Sequence, residues 1–289
     1  MTAIQPHPGF RVGHVTRLED RTGVTAIVFD EPALTAAEAR GAAPGTRDLE
    51  LLKPGMLGRA ADAIILTGGS SFGLRTVDGA LSQLVADGRG VQFGNAIIPL
   101  VSGAVVFDLG NGPPVAPDVE DGAAAVNNAV PVEMTGAGRV GAGTGVRWGH
   151  LRADGPSPGG FGIGQVFLPE GRVTAVAVVN ALGNVLAASS DGRREFLDRP
   201  RPNLKSGENT TLVATVTDIA CDHSDLVRLC IAGHDGLSNA ILPAHTMFDG
   251  DVVFASTTHP GSIEPNDLLR LYVATQLAVE AAIASAIVQ

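Results

Sequence analysis

The chain has 289 residues, of which 45% are hydrophobic and only 17% charged, with 37 glycines and a formal net charge of -10. This length and apolar content suit a substantial packed core rich in tight turns and exclude a disordered chain. The acidic balance, with Arg193-Arg194 as the longest basic run, excludes nucleic acid as a main partner, because phosphate neutralisation needs clustered Lys and Arg. Two cysteines, Cys221 and Cys230, supply no disulfide framework. Residues 1–9 hold no Lys or Arg and no apolar run, so no signal peptide is expected and a soluble cytoplasmic protein is the default. Residues 268–288 are apolar enough to suggest a membrane span. Arg270, Gln276, Glu280 and many alanines instead favour a buried or interface helix, and no membrane partner is expected.

In chain order, residues 10–15 alternate as an edge strand, weakened by Gly13. Residues 24–29, rich in β-branched side chains, predict a strand bounded by Gly23 and Asp30. Between Pro32 and Pro54 a short helix is expected over residues 33–39. It leads into a loop around Gly41-Ala42-Ala43-Pro44-Gly45-Thr46-Arg47, an excursion of the functional or oligomer-contact kind. Residues 62–67 predict a buried strand, and Gly68-Gly69-Ser70-Ser71-Phe72-Gly73-Leu74 a tight turn into a helix with Val77, Leu81, Leu84 and Val85 on one face. Glycines between a strand and a helix expose N–H groups to an anion or oxyanion, or simply let helix pack on strand. The turn is neither a P-loop nor GxGxxG.

Residues 97–107 predict two short strands and residues 122–130 an Ala-rich helix. The stretch 136–145 is too Gly-rich for a helix, and its backbone can approach a ligand or another strand closely. A loop follows through residues 155–160. Residues 173–179 form a nearly continuous apolar run, as in a strand covered on both faces. The run ends at Asn180, which either needs buried partners or caps a turn with Gly183. The prolines of Asp198-Arg199-Pro200-Arg201-Pro202-Asn203 preclude regular structure there. Residues 212–217 then alternate as a strand that begins with two hydroxyl residues, Thr210-Thr211. A helix capped by Asp222 or Ser224 turns Leu226, Leu229, Cys230, Gly233 and Leu237 inward. A strand at 252–255 follows Asp249-Gly250-Asp251, and the last helix starts near Pro265. Strands and helices alternate without repeat or linker, which predicts one α/β domain with helices over sheet faces.

Three polar points sit at the ends of apolar strands: Thr210, Asn180 and the pair Asp249 and Asp251. A Thr made N-terminal by a cut would use its hydroxyl as nucleophile and its own α-amine as base, since α-amines titrate at about 7.7 to 8.0. Asn180 would then donate to an oxyanion, and the two Asp residues would orient the amine and relay protons. The bland alternatives are a turn entering a strand and two solvated turn carboxylates. A metal site from His245, Asp249 and Asp251, with Cys230 and His234 one helical turn apart, is the competing constellation, set against a buried structural Cys230. Asn209-Thr210-Thr211 also fits a glycosylation acceptor, an accidental match without a secretory signal.

Taken together, Arg40-Gly41-Ala42-Ala43-Pro44-Gly45-Thr46-Arg47, Leu66-Thr67-Gly68-Gly69-Ser70-Ser71-Phe72-Gly73-Leu74, Gly141-Ala142-Gly143-Thr144-Gly145 and His245-Thr246-Met247-Phe248-Asp249-Gly250-Asp251 resemble the DmpA-type family of self-cleaving hydrolases. That family includes L-aminopeptidase/D-amino-acid esterases, β-peptidyl aminopeptidases and an endo-acting nylon-oligomer hydrolase. The resemblance implies an αββα layered sandwich, an α/β fold of the DmpA/ornithine acetyltransferase type. It implies a cut between Asn209 and Thr210 into segments 1–209 and 210–289, an acyl-enzyme on Thr210, and site roles for Asn180, Asp249, Asp251 and His150. Gly69, Ser70 and Phe72 of the tight turn are candidate substrate-binding residues. His150 stands where the nylon-oligomer hydrolase has a Lys, and Ala137 where aminopeptidase members place a Glu that binds the substrate's amine. Asn-Thr-Thr at the cut and Gly138-Arg139 look closer to the nylon-oligomer hydrolase. The expected substrate is a peptide or small-molecule amide, with no metal or cofactor, and the resemblance implies a homo-oligomer, a tetramer. Acyl transfer to an amine from the same acyl-enzyme, aminopeptidase or esterase action, and an uncleaved ligand-binding oligomer are the alternatives.

Overall fold

A computed structural model describes residues 3–58, 60–152, 154–186 and 208–287; the Pro-rich stretch 198–203 lies outside these. The architecture follows from one long strand. β1 (Phe10–Arg17) and β2 (Thr22–Ala39) form an antiparallel hairpin in which Phe10 faces Phe29. β2 runs for 18 residues with a register shift between Val28 and Ala33, and it serves two layers. Its first half pairs with β1 and with β3 (Ala60–Thr67), and β3 pairs in parallel with β4 (Val101–Val105). Its second half pairs with a strand from the far end of the chain, completing an antiparallel and parallel set: β5 (Gly160–Leu168), β6 (Gly171–Asn180), β7 (Thr210–Thr217) and β8 (Val252–Thr257), in that spatial order.

Strand alternation sends every second side chain to the opposite face. Ile27, Phe29, Ile64 and Leu66 of the first layer meet Phe161, Val176, Val178, Leu212, Ala214 and Phe254 of the second in one buried cluster between the layers. The outer face of the first layer, with Val24, Ala26, Ala63 and Ile65, packs on Val77, Ala80 and Leu84 of α1 (Thr76–Ala86) and Ala125 of α2 (Val119–Asn127). The outer face of the second, with Ala175, Ala177, Val179, Val213 and Val253, packs on α3 (His223–Ala240) and α4 (Pro265–Ile287). The order is helix, sheet, sheet, helix, the expected αββα sandwich. It explains why residues 173–179 read as a nearly continuous apolar run: both faces of β6 are covered.

Asp222 caps α3 through a reciprocal capping box with Asp225, and Leu226, Leu229, Cys230, Gly233 and Leu237 are buried as expected. α4 is long and apolar enough to cross a membrane by length and composition. It lies along the second layer with Leu271, Ala274, Ala278 and Ala282 buried.

Two expectations fail, and one strand carries no signal in the sequence. Residues 33–39 form strand, not helix: Ala36 pairs with Ala255 of β8, and this tertiary pairing overrides the helical preference of an Ala-rich run. Val85 is exposed at 43% rather than packed inward. The strand β5 was not foreseen, because Gly160, Gly162 and Gly164 suppress the strand signal. Those glycines let α4 approach closely, since a Cβ at Gly162 would lie 2.0 Å from the Ala282 carbonyl oxygen. Gly162→Ala is therefore expected to lower stability by about 1–3 kcal/mol through overpacking. Urea unfolding would show this, and an unchanged midpoint would refute it.

Candidate functional site

Thr210 opens β7, which lies between β6 and β8, so partners reach it from both sides. Antiparallel pairing with β6 sets Thr210 opposite Asn180. Parallel pairing with β8 sets Leu212 opposite Val252, and one step before the strand Asn209 bridges Asp249. The three polar points of the sequence thus meet at one end of the second layer. All are buried: Asn180 is 1% exposed, Thr210 4%, and Asp249 and Asp251 2% each.

The Asn209 carbonyl oxygen accepts from two donors, the Thr210 hydroxyl at 2.5 Å and the Gly250 N–H at 2.9 Å. The second donor is the parallel ladder carried past the strand end, and no side-chain motif announced it. Gly250 must be glycine for space, because a Cβ there would lie 2.6 Å from the Ala43 oxygen and 2.8 Å from the Thr210 hydroxyl. The Asn180 side-chain amide donates to the carbonyls of Phe107 and Glu208, each at 3.0 Å, and its oxygen accepts from the Arg147 N–H at 3.0 Å. Asn180 is therefore buried with partners for both its oxygen and its amide, rather than a turn cap with Gly183.

The Asp249-Gly250-Asp251 turn is held in place by other motifs. Asp251 accepts the Thr211 N–H at 2.7 Å on one oxygen and His245 Nδ1 at 2.8 Å on the other. Asp249 accepts the Thr246 N–H at 2.8 Å and its hydroxyl at 2.5 Å. Burial, with the nearby Asp251 charge adding to it, pushes the Asp249 carboxyl up from 3.8 to about 6. The loop after β2 walls the turn: Arg40 N–H bonds the Asp251 carbonyl at 3.0 Å and Ala43 N–H the Asp249 carbonyl at 2.9 Å.

The remaining candidates stand further out. His150 follows Gly149, whose N–H bonds the Ala181 and Gly183 carbonyls just beyond Asn180. Its ring is half-buried, no hydrogen bond joins it to Thr210, and its Nε2 has no hydrogen-bond partner among the described residues. Burial, then the Arg147 charge, lowers its pKa below 6.5, so it is neutral at pH 7. Gly69 and Ser70 hold left-handed backbone. They donate to Asp108 Oδ1 at 2.7 Å and to the Val106 carbonyl at 3.0 Å, one residue either side of the Phe107 carbonyl that receives Asn180. Phe72 is 62% exposed and outside this network. Within the Gly-rich stretch 136–145 a Cβ at Gly143 would lie 2.2 Å from the Phe161 nitrogen, while Gly136 and Gly138 face open space. Ala137 lines a cleft of about 700 Å³ together with Glu133, Ile163 and Gln165.

The metal constellation does not assemble. Cys230 belongs to the core beneath α3, His234 Nε2 pairs with the Glu38 carbonyl at 3.0 Å, and no grouping of three such ligands occurs among the described residues.

An αββα sandwich that brings a buried threonine hydroxyl against the carbonyl of its own preceding residue has the build of an amide hydrolase. The sequence model of Peptidase family S58 matches residues 3–289, and the chain belongs to that family. It is 35% identical to a Mycobacterium leprae protein named an uncharacterized aminopeptidase, over 91% of this chain and 80% of that one. It is 32% identical to the 6-aminohexanoate-oligomer endohydrolase of a Kocuria species, over 87% of this chain and 73% of that one. In structure it matches the L-aminopeptidase D-Ala-esterase/amidase of Ochrobactrum anthropi, described as a variant of the Ntn hydrolase fold, with a TM-score of 0.72 and 17% identity over 99% and 87% of the two chains. The protein is a hydrolase acting on amides.

Two outcomes follow from this geometry. Gly250→Ala is expected to displace the Thr210 hydroxyl and to block any reaction at the Asn209 carbonyl, read by mass measurement of the purified chain. For Asp249, a carboxyl raised in the folded state contributes stability that is complete below 3.8 and is lost as pH rises through about 6. In a Thr210→Ala background, Asp249→Asn should therefore gain stability over its parent by on the order of 2 kcal/mol between pH 4 and pH 7.5. A gap in urea unfolding that does not grow with pH would contradict this.

Proposed function

We propose that the chain cuts itself between Asn209 and Thr210, into segments 1–209 and 210–289, and then hydrolyses amides with Thr210 as N-terminal nucleophile. The observation that carries this reading is the Asn209 carbonyl oxygen, held at 2.5 Å from the Thr210 hydroxyl and at 2.9 Å from the Gly250 N–H. Thr210 Oγ attacks the Asn209 carbonyl carbon, and the Gly250 N–H stabilises the charge that develops on oxygen. The C–N bond breaks, the proton lost by the hydroxyl ends on the Thr210 amine, and an ester remains. Water then releases Asn209 as a carboxylate and restores the hydroxyl. In later turnovers the free α-amine takes the proton from Oγ as it attacks a substrate amide, and passes it to the leaving amine.

Asn180 has a part that only the cut exposes. In the intact chain its amide is filled by the Phe107 and Glu208 carbonyls. Departure of Glu208 after cutting frees one N–H to meet a substrate oxyanion. Asp249, with its carboxyl pushed up to about 6, can exchange a proton near neutral pH. His150, neutral at pH 7, brings a lone pair and an N–H but no fixed charge.

The substrate we propose is a peptide or linear amide oligomer, because Ala137 provides no carboxylate to seize a free amine. Aminopeptidase action is the second reading, favoured by the 35% identity to a Mycobacterium leprae protein named an uncharacterized aminopeptidase. The buried free thiols of Cys221 and Cys230 fit a reducing compartment, and a cytoplasmic homo-oligomer is part of this proposal. Thr210→Ala should abolish turnover entirely, while Thr210→Ser should keep it. Assays on linear 6-aminohexanoate oligomers, peptides and amino-acid esters should rank the oligomers or internal peptide bonds first. Full activity of Thr210→Ala would overturn the nucleophile assignment, and a strict demand for a free N-terminus would transfer the reading to the aminopeptidase.

A further inference from the structure

The steps above leave His245 without a part, although it is the first residue of the run that ends in Asp251. Its backbone lies in the left-handed region, with φ of 56°. Side chains other than glycine seldom adopt that conformation, and where they do the surrounding structure usually has a use for it. Here the use is visible: the backbone N–H of His245 at 3.0 Å and its ring Nδ1 at 2.8 Å both reach the same oxygen, Asp251 Oδ2. The other oxygen, Oδ1, takes the Thr211 N–H at 2.7 Å. Asp251 is thus pinned at both oxygens, between His245 and the residue that follows Thr210, with 2% of its side chain exposed.

The groups around the ring come from three elements. His234 of α3 packs edge-on with ring centroids 4.7 Å apart, and its carbonyl lies 3.4 Å from His245 Nε2. Arg40, at the end of β2, adds a positive charge that is itself paired with Glu38 at 3.1 Å. Asp249 lies on the same turn, two residues before Asp251. Burial works against a charged His245 ring, as Arg40 does, but the Asp251 carboxylate outweighs them and the pKa lies above 6.5.

We infer that His245 is a positioning residue for the reaction at Thr210: it clamps Asp251, and Asp251 in turn fixes the Thr211 amide and the strand end that aims the nucleophile. The inference rests on Thr210 being the nucleophile of the preceding section. It assigns His245 no contact with substrate. A histidine serving only to fill the turn would be replaceable by any residue tolerant of left-handed backbone, whereas a clamp requires a side-chain donor directed at Asp251.

The full chain, made as a pulse in cell-free translation and chased between pH 5 and pH 8.5, reports on the clamp through the rate of cutting on denaturing gels. Wild type and Thr210→Ala frame the experiment. His245→Gly keeps the left-handed backbone and the N–H but removes the ring. His245→Asn tolerates the same backbone and restores a donor. Cutting in His245→Gly should slow about tenfold or more at pH 7, with its acid limb moved to higher pH because a cation beside the carboxylates is gone. His245→Asn should recover part of the rate. Wild-type rate and pH profile in His245→Gly would overturn the inference, as would equal loss in both variants. A second reading needs neither cutting nor a folded glycine variant: in Thr210→Ala, the His245 ring should titrate above 6.5 by NMR, and lower once Asp251→Asn is added. Titration at or below 6.5 in Thr210→Ala would refute the clamp. A wild-type chain that never cuts would instead overturn the nucleophile reading while the NMR result still tests the clamp.

Discussion

The site depends on the parallel pairing of β7 with β8. That ladder fixes Leu212 opposite Val252 and, continued two residues outward, brings the Gly250 N–H to the Asn209 carbonyl. Shifting the register by one residue would move the Asp249-Gly250-Asp251 turn away from Thr210 and turn over the faces of the strand that slips. The register is held by packing on both sides of the layer. Leu212, Ala214 and Phe254 fill the space between the sheets, while Val213, Val253 and Ala255 meet α3 and α4. The helices and the inter-sheet core thus set the chemistry by deciding where two strand ends lie.

Burying so many polar groups at one strand end is costly unless each is satisfied. Asn180 uses its oxygen and its amide, Asp251 both its oxygens, and Asp249 accepts twice from Thr246. Hydrogen bonds in such surroundings are electrostatically stronger than in water, and prearranged donors need no reorganisation when charge develops on a carbonyl oxygen. The same burial raises the carboxyls of Asp249 and Asp108, each to about 6. Asp108 holds the Gly69 N–H, so the tight turn before α1 and the amide of Asn180 are tied to one short stretch, residues 106–108.

Much of this was legible in the sequence, and the exceptions have physical reasons. Strands rich in β-branched residues, the Asp222 cap, and the placing of Thr210, Asn180, Asp249 and Asp251 at strand ends could be read from residue type and spacing; that these ends meet follows from the sheet pairing. The second half of β2 could not, because its alanines favour helix in isolation and become strand only through β8. β5 was hidden because its glycines exist for the benefit of α4, a neighbour far away in sequence. The Gly-rich stretch 136–145 offered ligand or strand as the object of its close approach; at Gly143 the object is strand, whereas Gly136 and Gly138 meet nothing within 4 Å. The Gly250 N–H left only a faint trace, a glycine between two acidic residues just before a strand. A backbone donor has no side-chain signature, so its role emerges only from the register of the sheet. His245 stands out in the sequence only within the competing metal constellation and the closing motif, and its part as a partner of the Asp251 carboxylate emerges from the fold.

The account stands or falls on the bond between Asn209 and Thr210. Intact mass measurement of active wild-type protein under denaturing conditions, with N-terminal sequencing of the smaller species, tests it most directly. Two chains are expected, 1–209 and 210–289, the second beginning Thr-Thr-Leu-Val. Active protein consisting of a single uncut chain would contradict it.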